Sequence, residues 1–107
     1  MSTDIDFIAE LYFRTPEQGG RSTQASSGYR PTIKFPFDNM LTSGEQIYVG
    51  RNNVEPGETV RAKIKIVAVE HFRNRLTVGT KFEFTEGATI IGTGKILELV
   101  NPELKKR

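Results

Sequence analysis

The chain contains no cysteine, a single histidine and no long apolar run. Without cysteine it has no disulfides, no thiolate metal sites and no cysteine nucleophile. The one histidine, His71, excludes metal centres and proton relays that need two imidazoles. No apolar stretch reaches the roughly 18 residues of a membrane-spanning helix, and the first residues lack a basic-then-apolar leader. These absences predict a cytoplasmic protein with no membrane segment, metal or cofactor.

The chain also has only a small excess of positive over negative charge. The 107 residues include 15 lysines and arginines and 13 aspartates and glutamates, for a net charge of +2. The three basic residues that end the chain, 105–107, account for the whole excess, whereas a dedicated nucleic-acid binder usually carries its excess on a folded face. The length predicts one domain over 1–107, with a core over about 5–100 and a solvated basic tail over 101–107.

Alternation with a period of two is the dominant pattern. In residues 5–13 the odd positions are apolar while Asp6 and Glu10 are charged, which predicts a strand with one buried face and both carboxylates in solvent. The alternation is clearest at 60–68, and no stretch has a helical period. Four further strands are predicted at 29–37, at 46–50, around Phe82 and Phe84, and at 89–100. Six short strands indicate an all-β fold, a small closed antiparallel barrel with essentially no helix.

Two segments depart from regular alternation. Gly92 and Gly94 interrupt the last predicted strand, and glycine within a strand is typical of a bulge or a sharp bend. Residues 15–27 form a polar, glycine-rich connection that is longer than an ordinary hairpin turn. A connection of this length and composition predicts a loop that is functional or mobile.

Motifs for catalysis and nucleotide binding are missing. A phosphate-binding loop requires Gly-Lys followed by Ser or Thr at the start of a helix, but Gly94-Lys95 is followed by Ile96 within a predicted strand. His71 has no Gly-x-Ser-x-Gly elbow to accompany it, and no pair of carboxylates has the spacing of an acid/base couple. The sequence therefore predicts a protein that is not an enzyme and binds no nucleotide.

Basic residues on the predicted strands are the remaining candidates for a binding site. Three of them alternate along one strand at intervals of about 7 Å, close to the spacing of phosphates in a nucleic-acid strand. The same row arises on any strand with a solvated face, so both readings stay open. Others lie near the long loop, with a tyrosine available to stack on a base. The candidate residues for RNA or partner binding are Arg21, Tyr29, Arg30, Lys34, Arg61, Lys63 and Lys65.

Four short stretches, in order along the chain, carry a resemblance to a known family. They are Gly19-Gly20-Arg21 with Gly28-Tyr29-Arg30-Pro31, then Val54-Glu55-Pro56-Gly57-Glu58-Thr59-Val60, Phe82-Glu83-Phe84-Thr85-Glu86-Gly87 and Ile91-Gly92-Thr93-Gly94. Together they resemble the C-terminal (third) domain of bacterial elongation factor Tu, over about residues 6–100. The resemblance implies a six-stranded antiparallel barrel. In that family the barrel helps hold the T-stem backbone of aminoacyl-tRNA and contacts the GTPase domain and the nucleotide-exchange factor.

The chain departs from the family at residues that contact tRNA. Ser22 stands where the family has a histidine, and Thr32 stands where it has a glutamine. The resemblance therefore implies a free-standing, non-enzymatic binding module that acts through protein partners of the translation machinery. Direct binding of an RNA or tRNA backbone is the first alternative. An interaction domain unrelated to translation is the second.

Overall fold

The computed structural model describes residues 5–107, which fold into a closed, six-stranded antiparallel barrel. The barrel confirms the predicted fold class. In chain order its strands are β1 (Phe7–Phe13), β3 (Thr32–Lys34), β4 (Leu41–Tyr48), β6 (Thr59–Ile66), β7 (Lys81–Glu86) and β8 (Thr89–Leu99). Around the barrel they follow the order β1-β6-β4-β3-β7-β8, and β8 closes the barrel against β1. Two short strands, β2 (Ala25–Ser26) and β5 (Asn53–Val54), pair with each other outside it.

Helical structure is limited to three single turns. They are 3₁₀ turns at Pro16–Gln18, Val69–Phe72 and Pro102–Leu104, and residues 5–107 contain no α-helix. Over the same residues no helix is long and apolar enough to cross a membrane.

Alternating side chains build the core inside the barrel. On β6, for example, every second residue is buried and the residues between them are exposed, as the sequence predicted. Phenylalanine rings fill the centre: the ring centroid of Phe35 lies 5.0 Å from that of Phe72 and 5.7 Å from that of Phe82. Because full burial of such a side chain contributes about 1.5–3 kcal/mol, the core stabilises the barrel without disulfides.

Two of the predicted strands differ from the observed ones by three or more residues at one or both ends. The strand predicted at 29–37 is only Thr32–Lys34, because the prolines on either side of it, Pro31 and Pro36, have no N–H group to donate to a neighbouring strand. The strand predicted at 46–50 begins earlier, at Leu41, and ends at Tyr48.

Strand β8 contains the bulges that its glycines predicted, and its glycines also lie against core rings, which the sequence did not predict. Its register shifts once opposite β7, beside Gly92, and once opposite β1. Neither Gly92 nor Gly94 has a positive φ. Instead, a Cβ at Gly92 would collide with Phe84, and a Cβ at Gly94 would collide with Phe82. The two glycines therefore make room for core rings.

The prediction that Asp6 faces solvent is wrong. Asp6 precedes β1 and is 6% exposed. Its Oδ2 accepts a hydrogen bond from the backbone N–H of Ile66 at 2.8 Å, and its Oδ1 accepts one from Asn101 Nδ2 at 2.9 Å. The carboxylate is buried because it satisfies donors at the end of β6 and after β8. Glu10, by contrast, is exposed as expected.

Packing continues beyond residue 100. Leu104 is fully buried, and its carbonyl oxygen accepts a hydrogen bond from Leu76 N–H at 2.8 Å. Lys106 N–H donates to the carbonyl oxygen of Leu76 at 2.8 Å. Pro102, Glu103 and residues 105–107 are exposed, but these backbone hydrogen bonds tie the terminal segment to the folded domain.

Candidate functional site

The three basic residues of β6 lie on the outside of the barrel. Arg61, Lys63 and Lys65 are exposed, and the apolar residues between them point into the core. This is the arrangement that strand alternation imposes once one face is buried.

Neighbouring strands give each of these three residues different surroundings. Arg61 lies opposite Glu10 of β1, and Lys65 lies opposite Glu45 of β4. Lys63 lies between two apolar residues, Ile8 on β1 and Ile47 on β4. No ion pair joins Arg61 or Lys63 to a carboxylate in the part of the chain that the structure describes. Two cations beside apolar side chains are thus available to a partner.

Strand β4 exposes apolar side chains that the sequence analysis missed. Ile47 is 40% exposed and Val49 is 43% exposed, and Val49 N–H donates to the carbonyl oxygen of Arg61 at 2.9 Å. We call the surface formed by Ile47, Val49, Arg61 and Lys63 the β4–β6 face. The sequence did not predict the exposed apolar residues of β4. The inward-facing residues of β4 include the polar Gln46, so apolar and polar residues do not alternate regularly along the strand.

Arg21 and Tyr29 form a closed cluster with Glu86. Glu86 Oε2 accepts a hydrogen bond from Arg21 Nη1 at 2.5 Å and another from the Tyr29 hydroxyl. The Arg21 guanidinium lies 5.0 Å from the centroid of the Tyr29 ring. The Tyr29 hydroxyl, followed by Arg21, lowers the pKa of Glu86, while burial and then Glu86 raise the pKa of Tyr29. Glu86 therefore neutralises the charge of Arg21, and the Arg21 guanidinium covers one face of the Tyr29 ring.

The remaining two candidates lie apart from each other. Arg30 forms an ion pair with Glu45, at 3.6 Å between Nη2 and Oε2. Lys34 is on β3, opposite Glu83 of β7, on a different part of the barrel wall. The seven candidate residues therefore do not form one continuous basic surface, because carboxylates lie between them and two of the arginines are already paired.

His71 belongs to a small polar cluster away from the β4–β6 face. Its Nε2 lies 2.8 Å from Asp38 Oδ2, which also accepts a hydrogen bond from Arg75 Nη1 at 2.5 Å. Hydrogen bonds from the backbone N–H of Met40, then from His71 and Arg75, hold the pKa of Asp38 well below its usual range. Among residues 5–107, no serine or threonine hydroxyl is bonded to the His71 ring, and no cluster of His, Asp or Glu could hold a metal ion.

Comparison with known proteins adds no assignment to this geometry. A scan of the chain against models of known protein families finds no match.

Proposed function

We propose that this chain is a non-catalytic binding module that docks onto a protein of the translation machinery through its β4–β6 face. The observation that carries the proposal is the pairing of exposed apolar side chains, Ile47 and Val49, with two unpaired cations on the next strand. The translational setting rests on the resemblance of the four sequence motifs to the elongation-factor barrel. A cytoplasmic location is part of the same proposal.

Apolar exposure favours a protein partner. Full burial of an exposed isoleucine contributes about 1.5–3 kcal/mol, so covering the 40% of Ile47 that is still exposed stabilises a complex by about 0.6–1.2 kcal/mol. An RNA backbone presents phosphates and riboses, which offer little apolar surface to cover it. A protein surface with leucine or phenylalanine beside aspartate or glutamate complements both the apolar residues and the two cations, Arg61 and Lys63.

The internal ion pairs point in the same direction. Arg21 is engaged by Glu86 and Arg30 by Glu45, so a phosphate would have to displace a carboxylate at each site. Ser22 and Thr32 already replace the side chains with which the family contacts tRNA. Few free cations remain for RNA among the candidate residues. Within residues 5–107, Lys34, Arg61 and Lys63 have no ion-pair partner, and Lys34 lies on a different strand from the other two.

Affinity capture from a bacterial extract tests the proposal with one matched pair of variants. Ile47→Glu places a charge in the centre of the β4–β6 face. Val78→Glu makes the same change at another exposed apolar residue, 63% exposed and outside that face. We expect the wild type and Val78→Glu to retain the same translation protein after nuclease treatment, and Ile47→Glu to retain roughly tenfold less, which corresponds to about 1.4 kcal/mol.

Two outcomes contradict the proposal. Equal recovery by all three baits would show that the β4–β6 face is not the contact surface. Recovery of proteins outside translation, lost in Ile47→Glu, would support the interaction domain unrelated to translation.

Direct RNA binding has one observation in its favour, the two unpaired cations on β6. It predicts a complex with total tRNA whose affinity falls steeply as salt is raised. A gel shift at low salt measures this directly. Absence of any retarded species there would eliminate the RNA alternative. Loss of the captured translation protein after nuclease treatment would support it over the protein partner.

A further inference from the structure

A groove crosses the outer wall of the barrel over β3, β7, β8 and β1. Its volume is about 720 Å³, within the range of small-molecule sites. Gly94 lies in the lining of the groove, between the exposed residues Thr93 and Lys95. The groove is lined by Glu10, Tyr12, Lys34, Lys81, Glu83 and Lys95, among others.

Two of these lysines oppose each other directly. Lys81 of β7 is the cross-strand partner of Lys95 of β8, and both side chains are exposed. Cβ atoms of such partners lie about 5 Å apart, and like charges in this position destabilise a sheet. No ion pair joins either lysine to a carboxylate of the described residues.

A third ammonium group extends the charge. Lys34 lines the groove from β3, where its strand partner is Glu83, and it too has no ion pair within residues 5–107. Glu10 lies opposite Lys95 on the other side of β8. The groove is therefore lined by three lysines and two carboxylates, and two of the lysines face each other.

We propose that this groove binds a small molecule carrying a phosphate group, with the phosphate held between Lys81 and Lys95. A phosphate monoester carries about −1.5 to −2 charges near neutral pH, so one group compensates both ammonium ions. A single carboxylate ligand compensates only one. Lysine binds phosphate as a point charge that can approach from either side of the anion, which suits two side chains on adjacent strands.

The carboxylates restrict what surrounds the phosphate. Glu10 and Glu83 accept hydrogen bonds and repel further negative charge, so they favour a ligand whose phosphate is attached to a hydroxyl- or amine-bearing group. Tyr12 contributes a ring to the same wall. The phosphate-binding residues lie outside the β4–β6 face, so this inference does not depend on the proposed function.

The test measures thermal stability and binding in a low-salt buffer free of phosphate. The probes are inorganic phosphate and glucose 6-phosphate, with glucose as the uncharged control. The variants are Lys81→Gln and Lys95→Gln, and Lys106→Gln is the control for loss of one positive charge at an exposed site. Both phosphates should raise the melting temperature of the wild type. Binding should weaken roughly tenfold in each groove variant and remain within about twofold in Lys106→Gln.

The melting temperature without any ligand tests whether the two facing lysines repel each other. In the phosphate-free buffer Lys81→Gln should melt at a higher temperature than the wild type, because it removes the repulsion between the facing lysines and leaves Lys95 opposite Glu10. Tighter binding of glucose 6-phosphate than of inorganic phosphate identifies an ester as the ligand class, and equal binding identifies free phosphate. No response to either probe, or an equal loss in Lys106→Gln, overturns the proposal.

Discussion

Gly94 shows how closely one backbone position is coupled to the core. A Cβ at this position would lie closer than 3.0 Å to the ring of Phe82 and to Leu11 Cδ2. Phe82 is itself held by the rings of Phe7 and Phe35, at centroid distances of 5.8 and 5.7 Å. The ring therefore has little freedom to move away from an added methyl group.

We expect Gly94→Ala to destabilise the barrel by about 1–3 kcal/mol, because it overpacks the core. Phe82→Leu shortens the opposing side chain. The double variant Gly94→Ala/Phe82→Leu should therefore lose less stability than the sum of the two single changes. Urea denaturation of the three variants measures the difference.

Gly92 serves as the control for this comparison of single and double variants. A Cβ there meets the backbone carbonyl oxygen of Tyr12 as well as the Phe84 ring. Shortening Phe84 leaves the backbone collision in place, so Gly92→Ala/Phe84→Leu should show no such recovery. Equal recovery at both positions would contradict this account of the two glycines.

Asp6 is the residue whose role differs most from its expected place in the alternation. Asp6→Ala removes the acceptor for Ile66 N–H and Asn101 Nδ2. Leaving buried donors without partners costs about 1–3 kcal/mol, so we expect a loss of that size in the free energy of unfolding. Glu98→Ala, at an exposed site on β8, should change it by no more than about 0.5 kcal/mol. Comparable losses in the two variants would show that Asp6 has no special role.

At the scale of elements, the connections are tied to the barrel by side chains. The loop at 15–27 begins with a 3₁₀ turn at Pro16–Gln18 whose capping is reciprocal. Thr15 Oγ1 accepts from Gln18 N–H at 3.2 Å, and Gln18 Oε1 accepts from Thr15 N–H at 2.9 Å. Further along, Ala25 is buried and pairs with Val54. The length of this loop predicts that it is functional or mobile. In the structure the capped turn and the Ala25–Val54 pair fix it to the rest of the domain.

Asp38 connects the β3–β4 loop to the turn at Val69–Phe72 through its contact with His71. Because its pKa in the folded state is below the ordinary value of 3.8, it contributes stability that is present above that value and is lost as the pH falls toward the folded pKa. We therefore expect the urea midpoint of the wild type to exceed that of Asp38→Asn by a constant amount from neutral pH to about pH 5, and by less below about pH 4. A difference that persists unchanged at pH 3 would contradict this link.

For the whole molecule, closure of the barrel brings together residues from distant parts of the chain. Strand β8 joins β1 near the start of the chain, and Asp6 contacts Asn101. The strand order also places β4 between Lys34 on β3 and Lys63 on β6. The β4–β6 face and the groove over β3, β7, β8 and β1 are products of this arrangement.

The fold was more predictable than the candidate site. Alternation over 60–68 predicted which side chains of β6 point inward, because burial of one face requires only local periodicity. Local periodicity does not reveal the neighbouring strand. The positions of Ile47 beside Lys63 and of Lys81 opposite Lys95 depend on register, which is set by pairings between segments far apart in the sequence.

Residue types and their order were sufficient for the all-β class, the six strands and the inward face of β6, since these depend on the conformational preferences and polarity of consecutive side chains. Tertiary structure decided which charges meet. Arg21 and Tyr29, two of the candidate residues for RNA or partner binding, both donate hydrogen bonds to Glu86, and Asp6, predicted to face solvent, accepts one from Ile66 N–H. The physical reason is that an ion pair or a buried hydrogen bond depends on distances of a few ångströms between chain segments, and only the closed barrel sets those distances.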